Sequence, residues 1–224
     1  MGIDYEGYIK EMMRKNPITI NSDASFYEAR ALIRDKGIRH LPVVDREGHL
    51  VGLVTDRDIR EAAPSVATTL SVHELHYLLG KLKVSAFMTP KDKLITISSA
   101  TMIEEAVQLM HDHKIGCLPV VDGNKLVGLI TETDVLALFV DLFGLTMQGT
   151  RLTLALEDKP GTLHNVLGII GKHNVNLLSV VTPTFKVNGQ RVVAIRIQTH
   201  EYDDIVKELE KSGHQVLSIN KWNP

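Results

Sequence analysis

The sequence has a single cysteine, Cys117, and only 5% of its 224 residues are aromatic. One cysteine excludes a disulfide within the chain. The N-terminal segment lacks the apolar stretch of a secretory signal, so we expect a cytoplasmic protein. The longest apolar run, at 135–145, contains Asp141 and Gly144 and is shorter than the roughly 20 residues that cross a bilayer. This run predicts a core helix, and we expect no membrane partner.

An excess of positive charge is also missing. Lys and Arg total 25 against 27 Asp and Glu, which gives a formal net charge of -2. Since no net positive field exists to attract a polyanion, we expect no nucleic acid polymer as a partner. The net charge does not exclude a mononucleotide as a ligand, because a few local basic groups and backbone N–H donors are enough to hold its phosphates.

The motifs of common catalytic centres are missing as well: the sequence has no G-x-G-x-x-G, Walker A or G-x-S-x-G. Two histidine pairs have no cysteine partners and do not predict a metal site: His73 with His76 and His111 with His113. Cys117 has no histidine–carboxylate relay nearby in sequence. We therefore expect no catalytic residue, no catalytic cofactor and no metal.

What the sequence does contain is an internal repeat. LPVVD stands at 41–45 and again at 118–122, and LVGLVT at 50–55 matches LVGLIT at 126–131 in five of six positions. The turn between the two blocks is one residue shorter in the second copy. A hairpin loop tolerates this deletion, whereas a strand interior does not, because a one-residue slip turns its faces over. Each copy therefore predicts a β-hairpin, and helical spacing of apolar residues predicts a helix before and after it.

The same features in the same order twice resemble a pair of CBS domains, known as a Bateman module. The resemblance rests on I-T-I, a helix, LPVVD, a turn and LVGL[VI]T-x-x-D. It predicts a first repeat at 8–63, a partly helical connection at 64–84 and a second repeat at 85–145, packed about a pseudo-twofold axis. Such pairs contact adenosine nucleotides, so the resemblance implies AMP, ADP, ATP or S-adenosylmethionine as the ligand.

The two T-x-x-D motifs, at 55–58 and 131–134, have two interpretations. Each can be a capping box that satisfies the first N–H groups of the following helix. Alternatively, the helix N-terminus binds a phosphate while the carboxylate accepts hydrogen bonds from both ribose hydroxyls. The resemblance to CBS pairs favours the second interpretation.

The resemblance implies one nucleotide site in each repeat. The first holds the basic groups Arg39 and Arg57, so we expect it to bind the phosphates, although a solvated surface charge is an alternative for both. The second has Gly116 and Thr133 at the corresponding places and is expected to bind a less charged adenosyl compound or nothing. Ile18 and Ile95 either flank the adenine or belong to the core. The predicted residues are Ile18, Arg39, His40, Pro42, Thr55, Arg57 and Asp58 for the first site, and Ile95, Cys117, Pro119, Thr131 and Asp134 for the second.

The C-terminal region contains no third copy. Its apolar patterns predict the order βαββαβ, a ferredoxin-like arrangement with a hairpin at Asn188-Gly189. The strings EDKPGTL and HNVNLLSV resemble an ACT domain at 149–221, a module that often senses amino acids. The resemblance implies an amino-acid site at Asp158, Gly161 and Asn176, for which an ordinary turn around Asp158 is the alternative. The open sheet edges predict pairing between copies, and hence a homodimer or higher homo-oligomer.

The whole chain is therefore predicted to be α+β, and the order CBS pair then ACT domain resembles the AcuB family, which is linked to acetoin utilisation. The resemblance implies a regulatory protein, not an enzyme, which reads an adenosine nucleotide and adjusts an unidentified protein target. Two alternatives remain: a passive oligomerisation scaffold, and an enzyme that converts a nucleotide in the CBS cleft.

Overall fold

The computed structural model describes residues 6–63 and 71–224, which form two compact units divided between Val135 and Leu136. The part of the predicted connection at 64–70 lies outside the described residues. The mixed helix and strand content confirms the α+β class. Among the described residues, no helix is both long and apolar enough to span a membrane.

The first unit contains two similar halves, and each has the predicted hairpin between helices. The elements of the first half are α1 (Ile9–Met12), β1 (Arg14–Lys15), β2 (Ile20–Asn21), α2 (Phe26–Lys36), β3 (His40–Val44), β4 (Leu50–Thr55) and α3 (Asp56–Ala62). Those of the second are α4 (Val72–Lys81), β5 (Thr89–Pro90), α5 (Ile103–His113), β6 (Cys117–Asp122), β7 (Lys125–Thr131) and α6 (Glu132–Leu142), the last of which extends past the unit boundary. The hairpins are β3–β4 and β6–β7, both antiparallel.

Helix α2 shows how local sequence sets these elements. Ser25 accepts a hydrogen bond from the Glu28 N–H, and the Glu28 carboxylate accepts one from the Ser25 N–H, which forms a capping box. The helix ends at Gly37, whose φ of 62° is the left-handed conformation that glycine adopts without strain. Its apolar face contributes Phe26 and Ala29, both fully buried, to the core of the first half.

The two halves exchange their first strands. Strand β1, near the start of the first repeat, pairs with β7 of the second, with Arg14 opposite Leu129. Strand β5, near the start of the second repeat, pairs with β4 of the first, with Pro90 opposite Gly52. Each hairpin therefore receives an edge strand from the start of the other repeat.

The glycine in each LVGL motif permits this exchange. A Cβ atom on Gly128 would lie 2.3 Å from Sδ of Met13, and one on Gly52 would lie 2.8 Å from the carbonyl oxygen of Thr89. At Gly52 the close atom belongs to the backbone, so a side chain there would block the incoming segment, whereas at Gly128 the Met13 side chain would have to move. Leu53 and Leu129, which occupy the same place in the two copies, meet in one buried cluster with Cys117. This meeting is what a pseudo-twofold relation between the repeats requires.

The second unit is a four-stranded antiparallel sheet with two helices, plus one short extra strand. Its elements are β8 (Gly149–Leu156), α7 (Thr162–Lys172), β9 (Leu177–Val181), β10 (Lys186–Val187), β11 (Gln190–Ile197), α8 (Asp203–Lys211) and β12 (Gln215–Trp222). The strand order β9-β11-β8-β12 confirms the predicted ferredoxin-like arrangement. The main core packs one sheet face against the helices, through residues such as Leu154, Ile195 and Ile170.

Candidate functional site

A cleft of about 560 Å³ lies between the two repeats of the first unit. Three segments form most of its wall: residues 14–18 around β1, residues 37–40 at the start of β3, and the end of β7 with the first turn of α6. Asp56 and Gly116 complete the lining.

The strand exchange creates this cleft. Because β1 pairs with β7, the segment that begins at Arg14 runs beside the second hairpin before it enters the first repeat. Strand β2 then pairs in parallel with β3, with Ile20 opposite Val43. Ile18 and His40 therefore line the same wall, next to Thr131 of the other repeat.

Ile18 is not a core residue in this fold. It is 38% exposed, whereas Ile20 is buried at 6%. An exposed aliphatic side chain at the rim of a cleft offers an apolar surface to a flat ring. Its counterpart in the second repeat, Ile95, is partly buried.

Basic side chains lie on one side of the cleft. Arg14, Lys15 and Arg39 are all exposed and line it. Glu132 and Asp56 supply negative charge to the same wall, so the cleft has mixed charge. Such a surface can bind phosphate with its guanidinium groups and accept hydrogen bonds with its carboxylates.

Asp134, in the T-x-x-D motif of the second repeat, forms an ion pair with one of these basic residues, Arg14. Its Oδ2 accepts hydrogen bonds from the N–H and the hydroxyl of Thr131, at 2.9 and 2.6 Å, which caps α6. Its Oδ1 accepts a hydrogen bond from Nε of Arg14 at 2.9 Å. The side chain of Asp134 is 14% exposed against 55% for Arg14, so Arg14 covers the carboxylate from the solvent side.

His40 lies where the repeats meet. Burial lowers its pKa below the ordinary value, and the neighbouring charge of Arg39 lowers it further, while Asp56 and Glu132 act in the opposite direction. A Cβ atom on Gly116 would lie only 3.4 Å from Nε2 of His40. The absence of a side chain at Gly116 thus leaves room for the imidazole, which is neutral at pH 7 and can either donate or accept a hydrogen bond.

The cleft does not follow the predicted grouping of site residues by repeat. From the first predicted site it contains Ile18, Arg39 and His40, while Pro42 is buried inside β3. From the T-x-x-D motif of the first repeat, Asp56 lines the cleft, whereas Thr55, Arg57 and Asp58 are not in its lining. In this cleft the strand exchange puts the basic groups of one repeat beside the T-x-x-D motif of the other, whereas the sequence prediction groups the residues by repeat.

The remaining residues of the first predicted site make local contacts. Thr55 and Asp58 form a capping box, in which Oδ2 of Asp58 accepts hydrogen bonds from the Thr55 N–H and hydroxyl at 2.7 and 2.8 Å. Arg57 is 77% exposed and pairs with Glu61 at 2.7 Å. The solvated-charge interpretation therefore describes Arg57, whereas Arg39 faces a cleft.

From the second predicted site, Thr131 lines the cleft and Asp134 contacts it through Arg14. Pro119 is buried, and Cys117 is buried in the cluster between the repeats. Burial raises the pKa of the Cys117 thiol to about 12, with a smaller contribution from Glu132. A protonated, buried thiol is a core residue and not a nucleophile.

In the ACT-like unit, the predicted amino-acid site is not assembled within one chain. Asp158 is held by Lys186 at 2.7 Å and Arg191 at 2.9 Å, and these pairs lower its pKa. Asn176 instead donates to the side chain of Gln198 at 3.3 Å. Arg191 lies near the start of β11 and Gln198 directly follows its end, so these two residues are roughly 20 Å apart. The side chains of Asp158 and Asn176 therefore contact opposite ends of the same strand. Gly161, with φ of 87°, begins α7 on the side of Asp158.

Sequence reasoning missed Arg14, Lys15, Asp56 and Glu132. Arg14 and Lys15 lie before the I-T-I block with which the recognised sequence match begins, and the one signal near them is Met13, which matches Met88 of the second repeat. Asp56 and Glu132 stand inside the T-x-x-D motifs, whose variable positions carry no predicted role.

In the part of the chain that the structure describes, one group of side chains has the spacing of a possible metal site. Ligand atoms of Asp45, Glu47 and His49 lie within 4.8 Å of one another in the first hairpin turn. Oδ1 of Asp45 already accepts the N–H groups of Glu47 and His49, both at 2.9 Å. The cluster is thus accounted for by the structure of the turn.

Comparison with known proteins agrees with this architecture. The CBS domain matches residues 9–65 and 84–141, a little more than half of the chain. The chain belongs to the CBS-domain family. The TTHA0829-like ACT domain matches residues 148–220. The chain therefore combines a CBS pair and an ACT domain, both of which are regulatory modules.

Individual relatives match mainly over the length of a CBS pair. A CBS domain-containing protein of Dictyostelium discoideum is 35% identical over 59% of this chain and 90% of its own length. The crystal structure of a Vibrio cholerae protein named for acetoin utilization (AcuB) is similar with a TM-score of 0.52 and 29% identity, over 62% of this chain and 94% of that one. A CBS domain pair solved with 5′-methylthioadenosine and S-adenosyl-L-methionine has a TM-score of 0.48 and 30% identity, over 59% and 94% of the two chains.

Proposed function

We propose that the CBS pair senses an adenosine nucleotide, which binds in the cleft between the repeats and changes how the protein acts on a partner. The observation that carries the proposal is the composition of the cleft. Arg14, Lys15 and Arg39 face it from the first repeat and its leading segment, and the T-x-x-D motif faces it from the second. This combination matches the phosphate, ribose and base of a nucleotide.

The base is proposed to lie against Ile18. This side chain is 38% exposed at the cleft wall, next to Ile38 and Pro17, so an adenine ring would cover apolar surface that water now contacts. Burial of such surface favours binding by about 25 cal/mol per Å² before the costs of association.

The ribose is proposed to bind Asp134. A carboxylate has two acceptor oxygens, and a cis-diol has two donors. Oδ1 of Asp134 is held by Arg14 in the free protein, so the sugar would take over this acceptor. Arg14 is then released toward the phosphates, which need charge-assisted donors.

The phosphates are proposed to bind Arg39, Lys15 and the released Arg14. These exposed groups favour AMP, ADP or ATP over S-adenosylmethionine, whose sulfonium group carries positive charge. This is the same preference that the basic residues of the first repeat predict from sequence, but it now applies to a site shared by both repeats.

Such a ligand regulates by shifting a population. It touches the leading segment of the first repeat and the last helix of the second, so it favours whichever arrangement of the two fits it better. A tenfold difference in affinity between two arrangements supplies about 1.4 kcal/mol. The protein target and a role in acetoin or carbon metabolism stay predictions.

The test uses two matched pairs of variants of the full chain, titrated with AMP, ADP, ATP and S-adenosylmethionine by calorimetry. Asp134→Ala and Asp58→Ala remove equivalent capping carboxylates, and Arg39→Gln and Arg57→Gln remove one arginine each. We expect Asp134→Ala and Arg39→Gln to weaken nucleotide binding about tenfold or more. The other two variants should bind as the wild type does.

Three outcomes would contradict the proposal. Equal losses from Asp58→Ala and Asp134→Ala would mean that the site is not the cleft. No heat and no thermal shift with any ligand would favour the scaffold alternative. Conversion of the nucleotide during incubation would favour the enzyme alternative.

A further inference from the structure

The second unit buries an arginine, Arg196, that has no carboxylate partner among residues 6–63 and 71–224. Arg196 lies in β11 between Ile195 and Ile197, which face the helices, so its side chain is on the opposite face of the sheet. It is only 6% exposed, and its Nη1 has no hydrogen-bond partner among the described residues. The guanidinium lies 5.7 Å from the centroid of the Trp222 ring, but this contact leaves the Nη1 donor without an acceptor, and a buried donor of this kind is costly.

The Arg196 side chain lines a cavity of about 230 Å³. Strands β8, β9 and β11 form its floor, and the segment that follows α6 forms its roof through Phe143 and Leu145. Two hydrogen bonds fix this roof: Ser179 donates to the carbonyl of Phe143 at 3.1 Å, and the indole N–H of Trp222 donates to the carbonyl of Leu145 at 2.9 Å. The cavity is therefore a built feature of the unit.

The charge in the cavity is entirely positive. Arg151 is the direct cross-strand partner of Arg196 and also lines the cavity. No acidic side chain is among the seven lining residues, which are Phe143, Leu145, Arg151, Ser179, Val181, Ala194 and Arg196. Burial lowers the pKa of Arg196, and repulsion from Arg151 lowers it further. An anion in the cavity would relieve both effects.

We propose that this cavity is a second ligand site and that it binds a small carboxylate with a short apolar chain. The guanidinium of Arg196 binds the carboxylate through parallel N–H donors, and Arg151 adds charge at the opening. Phe143, Leu145 and Val181 surround the chain. This cavity belongs to the second unit, whereas the nucleotide cleft belongs to the first. The proposal therefore does not depend on the proposed function of the cleft.

The size and chemistry of the wall exclude other ligand classes. The volume is below the roughly 300 Å³ at which pockets for drug-sized ligands begin, so a nucleotide does not fit. An α-amino acid would bury an ammonium group that has no carboxylate to pair with. The apolar roof suits a hydrocarbon chain better than the remaining oxygens of inorganic phosphate, which need donors of their own.

The test compares ligands of the same chain length on the full-length protein by calorimetry. Propionate and butyrate are the probes, alanine and 2-aminobutyrate carry the same chains with an added ammonium group, and inorganic phosphate is the third arm. We expect the two simple carboxylates to bind, the amino acids to bind at least about tenfold more weakly, and phosphate not to bind.

Variants locate the site. Arg196→Met should abolish carboxylate binding, and Arg196→Lys should weaken it about tenfold, since it keeps the charge but loses the second donor. Arg151→Gln, an exposed position, should weaken binding without an effect on folding. The matched control is Arg191→Gln, which removes another arginine of β11 that pairs with Asp158 outside the cavity and should bind as the wild type does.

A purely structural role for Arg196 gives a different result. In that case wild-type protein shows no heat with propionate or butyrate, and Arg196→Met lowers thermal stability. If Arg196→Met does not fold, Arg151→Gln still decides, because unchanged carboxylate affinity in that variant overturns the proposal. Equal affinity for alanine and propionate, or tighter binding of phosphate, also overturns it.

Discussion

Nε of Arg14 lies 2.9 Å from Oδ1 of Asp134, although the two residues are 120 positions apart and belong to opposite ends of the CBS pair. The bond exists because β1 crosses to the second hairpin, whose last strand ends just before Asp134. It closes the cleft over the carboxylate that the nucleotide is proposed to use. A ligand that binds this carboxylate oxygen must break the hydrogen bond from Arg14. The position of the Arg14 side chain should therefore depend on whether the cleft contains a nucleotide.

Replacing Arg14 with Gln is expected to affect binding far more than folding. The side chain is 55% exposed, and exposed ion pairs contribute about 0–1 kcal/mol, so the melting temperature should change little. AMP affinity should fall about tenfold because one phosphate donor is lost. Calorimetry and thermal denaturation measure the two effects, with Arg34→Gln as the control, since Arg34 is also exposed and paired. A large loss of stability with unchanged AMP affinity would contradict this assignment.

The glycine of the first LVGL motif should be intolerant of even one methyl group. Gly52→Ala places a Cβ atom 2.8 Å from the backbone carbonyl oxygen of Thr89 and should destabilise the first unit by about 1–3 kcal/mol. Gly168→Ala is the control: it lies inside α7, has no atom within 4 Å of the added Cβ, and should stabilise the second unit by about 1 kcal/mol. Urea denaturation followed by circular dichroism compares the variants, and equal effects of the two would refute the packing argument.

Much of the fold was predictable because its signals are local. The one-residue deletion between LPVVD and LVGL predicted both hairpins, and the capping box at Thr55 and the Thr131–Asp134 hydrogen bonds match the capping interpretation of T-x-x-D. The βαββαβ order of the C-terminal unit followed from periodicity and from the turn at Asn188. Each of these features depends on residues that are close in sequence.

The site was less predictable because it depends on pairing between distant segments. Strands β1 and β5 have two residues each, which is too short for a period-2 pattern, and nothing in the sequence says that Arg14 pairs opposite Leu129. A sequence repeat leads to a grouping of site residues by repeat, whereas the strand exchange makes the cleft a shared feature of both repeats. The burial of Arg196 could not be predicted either. Its position in a strand is readable from the sequence, but its burial depends on the distant segment of Phe143 and Leu145, which crosses the sheet face.

His40 should make the stability of the first unit depend on pH. Its pKa in the folded protein is below the ordinary value of about 6.5, because burial and Arg39 disfavour the imidazolium. As the pH falls below about 6.5, the unfolded chain takes up the proton first, so stability that is present above this pH is lost toward the lower folded pKa. Asp56 and Glu132 face the same imidazole and limit the size of the effect.

The measurement for His40 is urea denaturation of wild type and His40→Gln at about pH 7.5 and about pH 5.5. The wild type should lose more stability between the two values than the variant does. His49→Gln is the control, because His49 lies in a hairpin turn and its side chain is 39% exposed. If wild type and His40→Gln lose the same amount, the imidazole does not titrate in the way that its burial implies.

Cys117 should be inert in the folded protein despite being the only thiol. It is 6% exposed, between Leu53 and Leu129, and burial raises its pKa to about 12, so the reactive thiolate is nearly absent at neutral pH. Native protein mixed with a chromogenic disulfide reagent at about pH 8 should therefore show almost no labelling of Cys117. Urea-unfolded protein should react to completion, because its cysteine returns to a pKa near 8.5. Nucleotide should slow the native reaction further if it holds the two repeats together, since the thiol becomes accessible only when they separate. Rapid stoichiometric labelling of the native protein would show that the cluster between the repeats is open, and with it the wall of the proposed cleft.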